Sequence, residues 1–432
     1  MYNSRKRFLL LLTFCMLSVF GVAQNEINTP YSKFGLGNLS QRSNIVLGSM
    51  GGVGYALQHA HYINFKNPAA FAAFDSLSFI ADLAFAVTNY QLKTKELSYS
   101  GNFAKLEYIT IGLPVMRMWR TSFGIMPYSS VGYDILDTRV TEHFGKVHNQ
   151  YQGRGILQLL YWGNAFKLCK GLTLGVNLSY LFGTINSTSF AEYNTEEVPF
   201  IRNTMNSNFR YLDGIQINGG VQYHITINEK HRLGIGTVYE KTLKLWSREN
   251  LVRLTYANPY SPNTVFDTIK YNVGADAVRT KNAKMPHIIG TGISYGYKDK
   301  LLVAADITWQ NWKKFYMSNI KDSLQNNLVT ALGMQFIPDP LSSKYFKKIN
   351  LRAGTRFSTG YIVIQNHPIS EFAISAGLGF PIRTFNTRSS VNIMFEYSRL
   401  GTLQNNLIIQ NYYKLTFNFI LHEKWYQRRK LE

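Results

Sequence analysis

Cysteine is nearly missing from this 432-residue chain, which has two, Cys15 and Cys169. Cys15 falls inside an N-terminal apolar run that reads as a removable leader. The mature chain then keeps a single thiol, and no intrachain disulfide can form. Charge is also scarce: 16% of residues are charged, where roughly a quarter is usual in soluble domains. Acids are the rarer sign, 25 against 46 Lys and Arg, for a net charge of +21. Beyond the N-terminus no apolar run reaches the ~18 residues of a membrane helix, which excludes a helical membrane bundle. There is no H-E-x-x-H and no catalytic constellation stands out, so the chain is expected to be no enzyme. No cofactor motif stands out either. Gly48–Gly54 is glycine-rich but lacks the Lys-Ser/Thr of a phosphate loop, and packing of a compact segment explains it better.

What is present starts with export. Residues 1–23 have a basic start (Arg5, Lys6, Arg7), an apolar core Phe8–Phe20 and a small-residue cleavage site Gly21-Val22-Ala23. Thr13 and Phe14 before Cys15 are not the small residues of a lipoprotein site. The excess of bases could suggest nucleic acid, but they are scattered over turns and alternate positions. Outer-membrane lipid and lipopolysaccharide headgroups are the expected partners, and nucleic acid is not.

The stretch Ile63–Phe71, I-N-F-K-N-P-A-A-F, divides the mature chain. Before it, residues 24–75 are rich in glycine (Gly35, Gly37, Gly48, Gly51, Gly52, Gly54) and have no steady period. Pro68 cannot donate to a ladder, so it marks a boundary. From Ser76 onward the chain alternates apolar and polar with period two, which is the pattern of strands with one greasy and one wetter face. About fourteen such runs follow, from Ser76–Gln91 to Ile408–Leu421. In Leu301–Trp309 one face carries Leu301, Val303, Ala305, Ile307 and Trp309, and the other Leu302, Ala304, Asp306 and Thr308. In the last run Tyr413, Leu415, Phe417, Phe419 and Leu421 oppose Tyr412, Lys414, Thr416, Asn418 and Ile420.

A soluble sandwich would alternate too, with its greasy faces turned inward. Long strands, an exported chain and connections of alternating length favour a membrane barrel. Met116–Trp119, Lys170–Gly171, Asn228–His231 and Lys298–Lys300 are short. Asp137–Gln152, Ser187–Asn208 and Ser247–Ala283 are long. Outer-membrane barrels pair short periplasmic turns with longer outside loops. The expected architecture is therefore an all-β transmembrane antiparallel barrel of about fourteen strands with an N-terminal plug inside. Its parts are a leader 1–23, a plug or hatch 24–75, a barrel 76–421 and a basic periplasmic tail 422–432. It would sit in a Gram-negative outer membrane with both termini periplasmic, and it must close, because an open edge in hydrocarbon leaves backbone groups unpaired.

Several residues invite a functional reading. Asp306, Arg352, Arg356, Glu396 and Lys414 fall on the inward face. They read either as a network holding barrel and plug together or as a polar path. Pro127 interrupts the run Phe123–Ser130, where it makes either a bulge or a lateral gap in the wall. His59 and His61 have no carboxylate or cysteine close by in sequence, so no metal site is expected from them.

These residues resemble the outer-membrane long-chain fatty-acid channel family, the FadL type. Gly48–Phe71 resembles its Gly/Ala-rich hatch leading to an Asn-Pro-Ala signature, here Asn67, Pro68 and Ala69. Phe123–Tyr128 resembles its strand-plus-proline segment near a wall opening. Leu301–Phe315, with Asp306, Trp309, Trp312 and Phe315, resembles its Asp-x-x-Trp strand and loop. Ala70 and Phe71 stand where the family has Gly-Leu. The resemblance implies a hatch-plugged fourteen-stranded barrel for passive uptake of hydrophobic small molecules, with hatch movement and lateral release. The other expectation is a non-transport barrel, a subunit of outer-membrane assembly or secretion machinery.

Overall fold

The computed structural model describes residues 29–193, 201–256, 265–271, 283–317, 322–383 and 387–424. The leader and residues 425–432 of the basic tail lie outside the described residues. Fourteen antiparallel strands form the wall: β1 (Ser78–Lys93), β2 (Ser98–Pro114), β3 (Trp119–Thr141), β4 (Gly145–Cys169), β5 (Leu172–Tyr193), β6 (Asn203–Asn228), β7 (His231–Tyr256), β8 (Ile288–Tyr297), β9 (Leu301–Gln310), β10 (Asn327–Phe336), β11 (Asn350–Ser358), β12 (Glu371–Arg383), β13 (Arg388–Leu400) and β14 (Ile409–Lys424). Each expected run has its strand. Every strand pairs with its neighbours in sequence, and β14 returns to pair with β1 over its whole length, from Ile409↔Lys93 to Lys424↔Ser78. Phe85 stacks on Phe417 across this closing ladder at 5.3 Å. The last strand runs on to Lys424, three residues beyond the expected Leu421, because His422 and Lys424 still find partners on β1.

The greasy faces point outward. On β9, Val303, Ile307 and Trp309 are exposed while Ala304, Asp306 and Thr308 are buried. On β14, Tyr413, Leu415 and Leu421 are exposed while Thr416, Asn418 and Ile420 are buried. A sandwich would bury the first set. A wall with a continuous apolar exterior and a polar interior is built to meet hydrocarbon.

Among the described residues, three expected loops are instead mostly strand. β3 reaches Thr141 and β4 begins at Gly145, so Asp137–Gln152 is a hairpin with a three-residue turn. Likewise β5 and β6 extend through most of Ser187–Asn208, and β7 runs to Tyr256 before an added strand, Val265–Tyr271, that pairs with it. β3 to β7 are therefore 22 to 26 residues long, against the ~9–11 that cross a bilayer. Their far halves continue the wall as a tall sheet whose side chains are mostly part-buried on either face, with a few, such as Asn203, Ser207 and Tyr256, buried. Such a sheet needs no greasy face, so period two fades there and the sequence looks like loop. At the other end the turns are tight: Gly171, at φ +88°, lets β4 reverse into β5.

Candidate functional site

Residues 29–75 fill the ring. Their partners lie all the way round it: Gly132 on β3, Val221 on β6, Glu240 on β7, Asp306 on β9, Ser375 on β12 and Ile408 just before β14. The segment folds through asparagines that replace missing backbone partners. Asn44 caps the one-turn helix Ile45–Gly48 by accepting from Leu47 N at 2.9 Å, and donates to Ile63 O. Asn67 does the same for the 3-10 turn Pro68–Ala73, accepting from Ala69 N at 3.1 Å. Its amide also donates to Tyr55 O within the hatch and to Val221 O on the wall. Pro68 sits at the first position of that turn, where its missing N–H costs nothing. Asn67, Pro68 and Ala69 are thus buried joints between hatch and barrel.

Two ion pairs pin the hatch. Lys66 Nζ lies 2.9 Å from Asp306 Oδ2, and that same oxygen accepts from Gly54 N and Tyr55 N. Burial pulls the Lys66 ammonium pKa down, but the adjacent Asp306 outweighs it, so the pKa ends above its ordinary value. Arg42 grips Glu240 with both ends of its fork, at 2.9 and 2.8 Å. Lys66, Arg42 and Glu240 escaped the sequence reading. Lys66 stands inside the dividing stretch itself, and its position there was the available signal.

The other inward charges fall into two groups. Arg356 bridges Glu371 (2.9 Å) and Glu396 (3.3 Å), and Lys414 bonds Glu107 at 2.8 Å with Lys105 nearby. Arg352 stands apart, donating to Gln335 and Asn392. Above the hatch the connections pack into an apolar lid. Trp312, 1% exposed, stacks on Tyr361 at 4.3 Å, and the Tyr361 hydroxyl donates to Gly37 O. Asp322 accepts from Gly35 N at 2.6 Å. Trp309, three residues earlier, faces outward instead. Between lid and hatch lies a chamber of about 360 Å³ whose lining mixes Trp312, Ile362 and Ile369 with Lys66, Glu240 and Arg356.

Pro127 marks a seam. The ladder between β2 and β3 runs only from Ile109↔Ile125 to Pro114↔Arg120. Beyond Ile125, β2 stays paired to β1 and β3 to β4, with a register shift between Pro127 and Ser129. The freed edge of β3 is covered from inside by the hatch's first residues. Asn38 and Leu39 pair with Ser130 and Ser129, and Ser40 N donates to Tyr128 O. Thr29 N donates to Gly132 O, and the Ser32 hydroxyl both donates to and accepts from the Gly132 backbone.

At the foot of the hatch, His61 lies 3.2 Å from Asp75 and edge-on to His422 of β14. Burial, and then the neighbouring His422, push the His61 pKa down to about 4, so its imidazole is neutral. His59 stacks on Tyr62 beside this group.

Similar solved structures include the Pseudomonas putida toluene transporter TodX (13% identity, TM-score 0.59, 88% of this chain and 98% of that one). A Pseudomonas aeruginosa FadL homologue is similar at 12% identity and TM-score 0.57, over 90% of this chain and 100% of that one. The Ralstonia pickettii toluene transporter TbuX is similar at 13% identity and TM-score 0.56, over 89% and 98%. At these identities the likeness is one of fold, and it is the FadL-like fold that the sequence resembles. No curated protein matches the sequence. One family model, described as BamG, matches residues 5–432.

Proposed function

The chain belongs to the BamG family, and from that premise we propose that it serves as a plugged barrel subunit of an outer-membrane assembly or secretion complex. The observation that supports this reading best is the tall sheet made by the outer halves of β3 to β7. It ends in the strand Val265–Tyr271, which pairs on one side only among the described residues and has all seven residues exposed. A free edge with Val265, Phe266, Ile269 and Tyr271 on it is a surface that another chain can extend by strand addition. The pinned hatch points the same way. Moving it would break the Lys66–Asp306 and Arg42–Glu240 pairs, and stranding one partner of a buried pair costs about 3–5 kcal/mol. The family match, too, is to a model distinct from the channels whose fold the chain shares.

The test is extraction of native membranes in mild detergent followed by mass measurement of the particle. A stable complex with further outer-membrane components is expected. Recovery of this chain alone would overturn the proposal.

A second reading is a channel for hydrophobic small molecules with lateral release, and the β2–β3 seam at Pro127 favours it. The names of the structural neighbours, toluene transporters among them, belong to those proteins. In this reading the hatch's first residues leave the β3 edge and an apolar molecule exits between the strands. Purified protein in lipid vesicles would then pass a fluorescent fatty acid or toluene. Under the first reading it passes neither.

A further inference from the structure

We propose that His61, Asp75 and His422 form a site for a divalent transition metal, with zinc the best-fitting ion, that rivets the hatch to the closing strand of the barrel. The three come from different segments: His61 from the hatch, Asp75 from the link into β1, and His422 from the end of β14. The fold alone brings them together. One ligand atom from each lies within 4.8 Å of the others, and His61 Nε2 and His422 Nε2 lie 3.2 and 3.7 Å from the same Asp75 oxygen. In a tetrahedral site with bonds of ~2.0–2.1 Å, ligand atoms stand roughly 3.3 Å apart, so modest closing of the three completes the geometry. Two imidazoles and a carboxylate, with a fourth position left to water, form a ligand set that zinc accepts.

An independent observation is His422 itself. Its side chain is 1% exposed, and neither ring nitrogen has a hydrogen-bond partner among the described residues. Buried polar atoms are rarely left so, and one aimed at a neighbouring histidine and carboxylate is accounted for by a bound ion. The remaining ligands are reachable, since the side chains of His61 and Asp75 are 25% and 36% exposed. His61 is also held from behind, its backbone N–H donating to His59 Nδ1 at 3.1 Å. Three bases face the cluster: Arg388, whose guanidinium is 3.0 Å from His61 Nε2 and 3.9 Å from Asp75, and at longer range Lys424 and Arg120. Arg388 is 54% exposed, so its side chain has solvent to turn into.

The experiment uses the mature chain, purified without a polyhistidine tag, stripped with chelator and titrated with Co²⁺ and Zn²⁺. Saturable binding of one ion per chain is expected, with the visible bands of four-coordinate Co²⁺. His61→Gln and Asp75→Asn change half-exposed positions and keep the barrel folded, as heat-modifiable gel mobility will report. Each should weaken binding by more than about tenfold. Arg388→Gln should bind at least as tightly as the natural chain. Zn²⁺ should also slow protease cutting of the hatch in the natural chain and not in Asp75→Asn. No saturable one-to-one binding, or unchanged binding in both His61→Gln and Asp75→Asn, would overturn the site and leave Asp75 as the hub of an ordinary hydrogen-bond cluster.

Discussion

Lys66 reaches from the hatch to Asp306 on the wall, and the carboxylate oxygen it meets, 2.9 Å away, also holds the backbone N–H groups of Gly54 and Tyr55. One oxygen thus fixes a side chain and a turn of the hatch at once. Asp306→Asn strands the buried ammonium, and a loss of about 3–5 kcal/mol in barrel stability is expected. Urea unfolding in detergent measures it. Adding Lys66→Met to Asp306→Asn should recover about 1–3 kcal/mol of that loss, since residues in one network couple by that much.

The β3 edge is held by a serine. Ser32 Oγ donates to Gly132 O at 2.9 Å and accepts from Gly132 N at 3.0 Å. Ser32→Ala removes both and leaves a buried N–H without a partner, at a cost of about 1–3 kcal/mol. Amide exchange at Gly132 should then speed up by roughly tenfold or more, because each 1.4 kcal/mol is a factor of ten. Unchanged exchange would mean that Thr29 and Asn38–Ser40 secure this edge without Ser32.

Gly175 on β5 is the floor on which the hatch turn sits. A Cβ there would strike the backbone of Pro68 and Ala69, whereas one at Gly219 on β6 would meet nothing. Backbone cannot give way as a side-chain tip can. Gly175→Ala should therefore destabilise by about 1–3 kcal/mol, while Gly219→Ala should leave the urea midpoint essentially where it was.

The exposed strand Val265–Tyr271 offers a direct test of partner binding. Ile269 pairs through its backbone with Arg253, and its side chain faces solvent. Ile269→Lys places a charge on the edge, the device natural sheets use to block strand addition. The folded barrel should be recovered in normal yield, and the complex extracted from native membranes should fall several-fold.

Much of this molecule was readable from residue order. Alternation in runs such as Leu301–Trp309 and Ile408–Leu421 told strand from helix. Fourteen runs and the inward set Asp306, Arg352, Arg356, Glu396 and Lys414 followed from a period of two, because neighbouring side chains on a strand must take opposite faces, and Pro68 marked where that period starts by lacking an N–H. That signal is local, and it ends where its cause ends. In the far halves of β3 to β7 neither face is consistently greasy, so strand was taken for loop. What the order of residues could not contain is which distant positions meet. Lys66 and Asp306 are 240 residues apart, and His61 and His422 stand near opposite ends of the chain. Only closure of the ring around its own leading segment brings each pair within reach, since the stagger of fourteen strands and the depth of the hatch are set by packing throughout the barrel and by no short stretch of sequence.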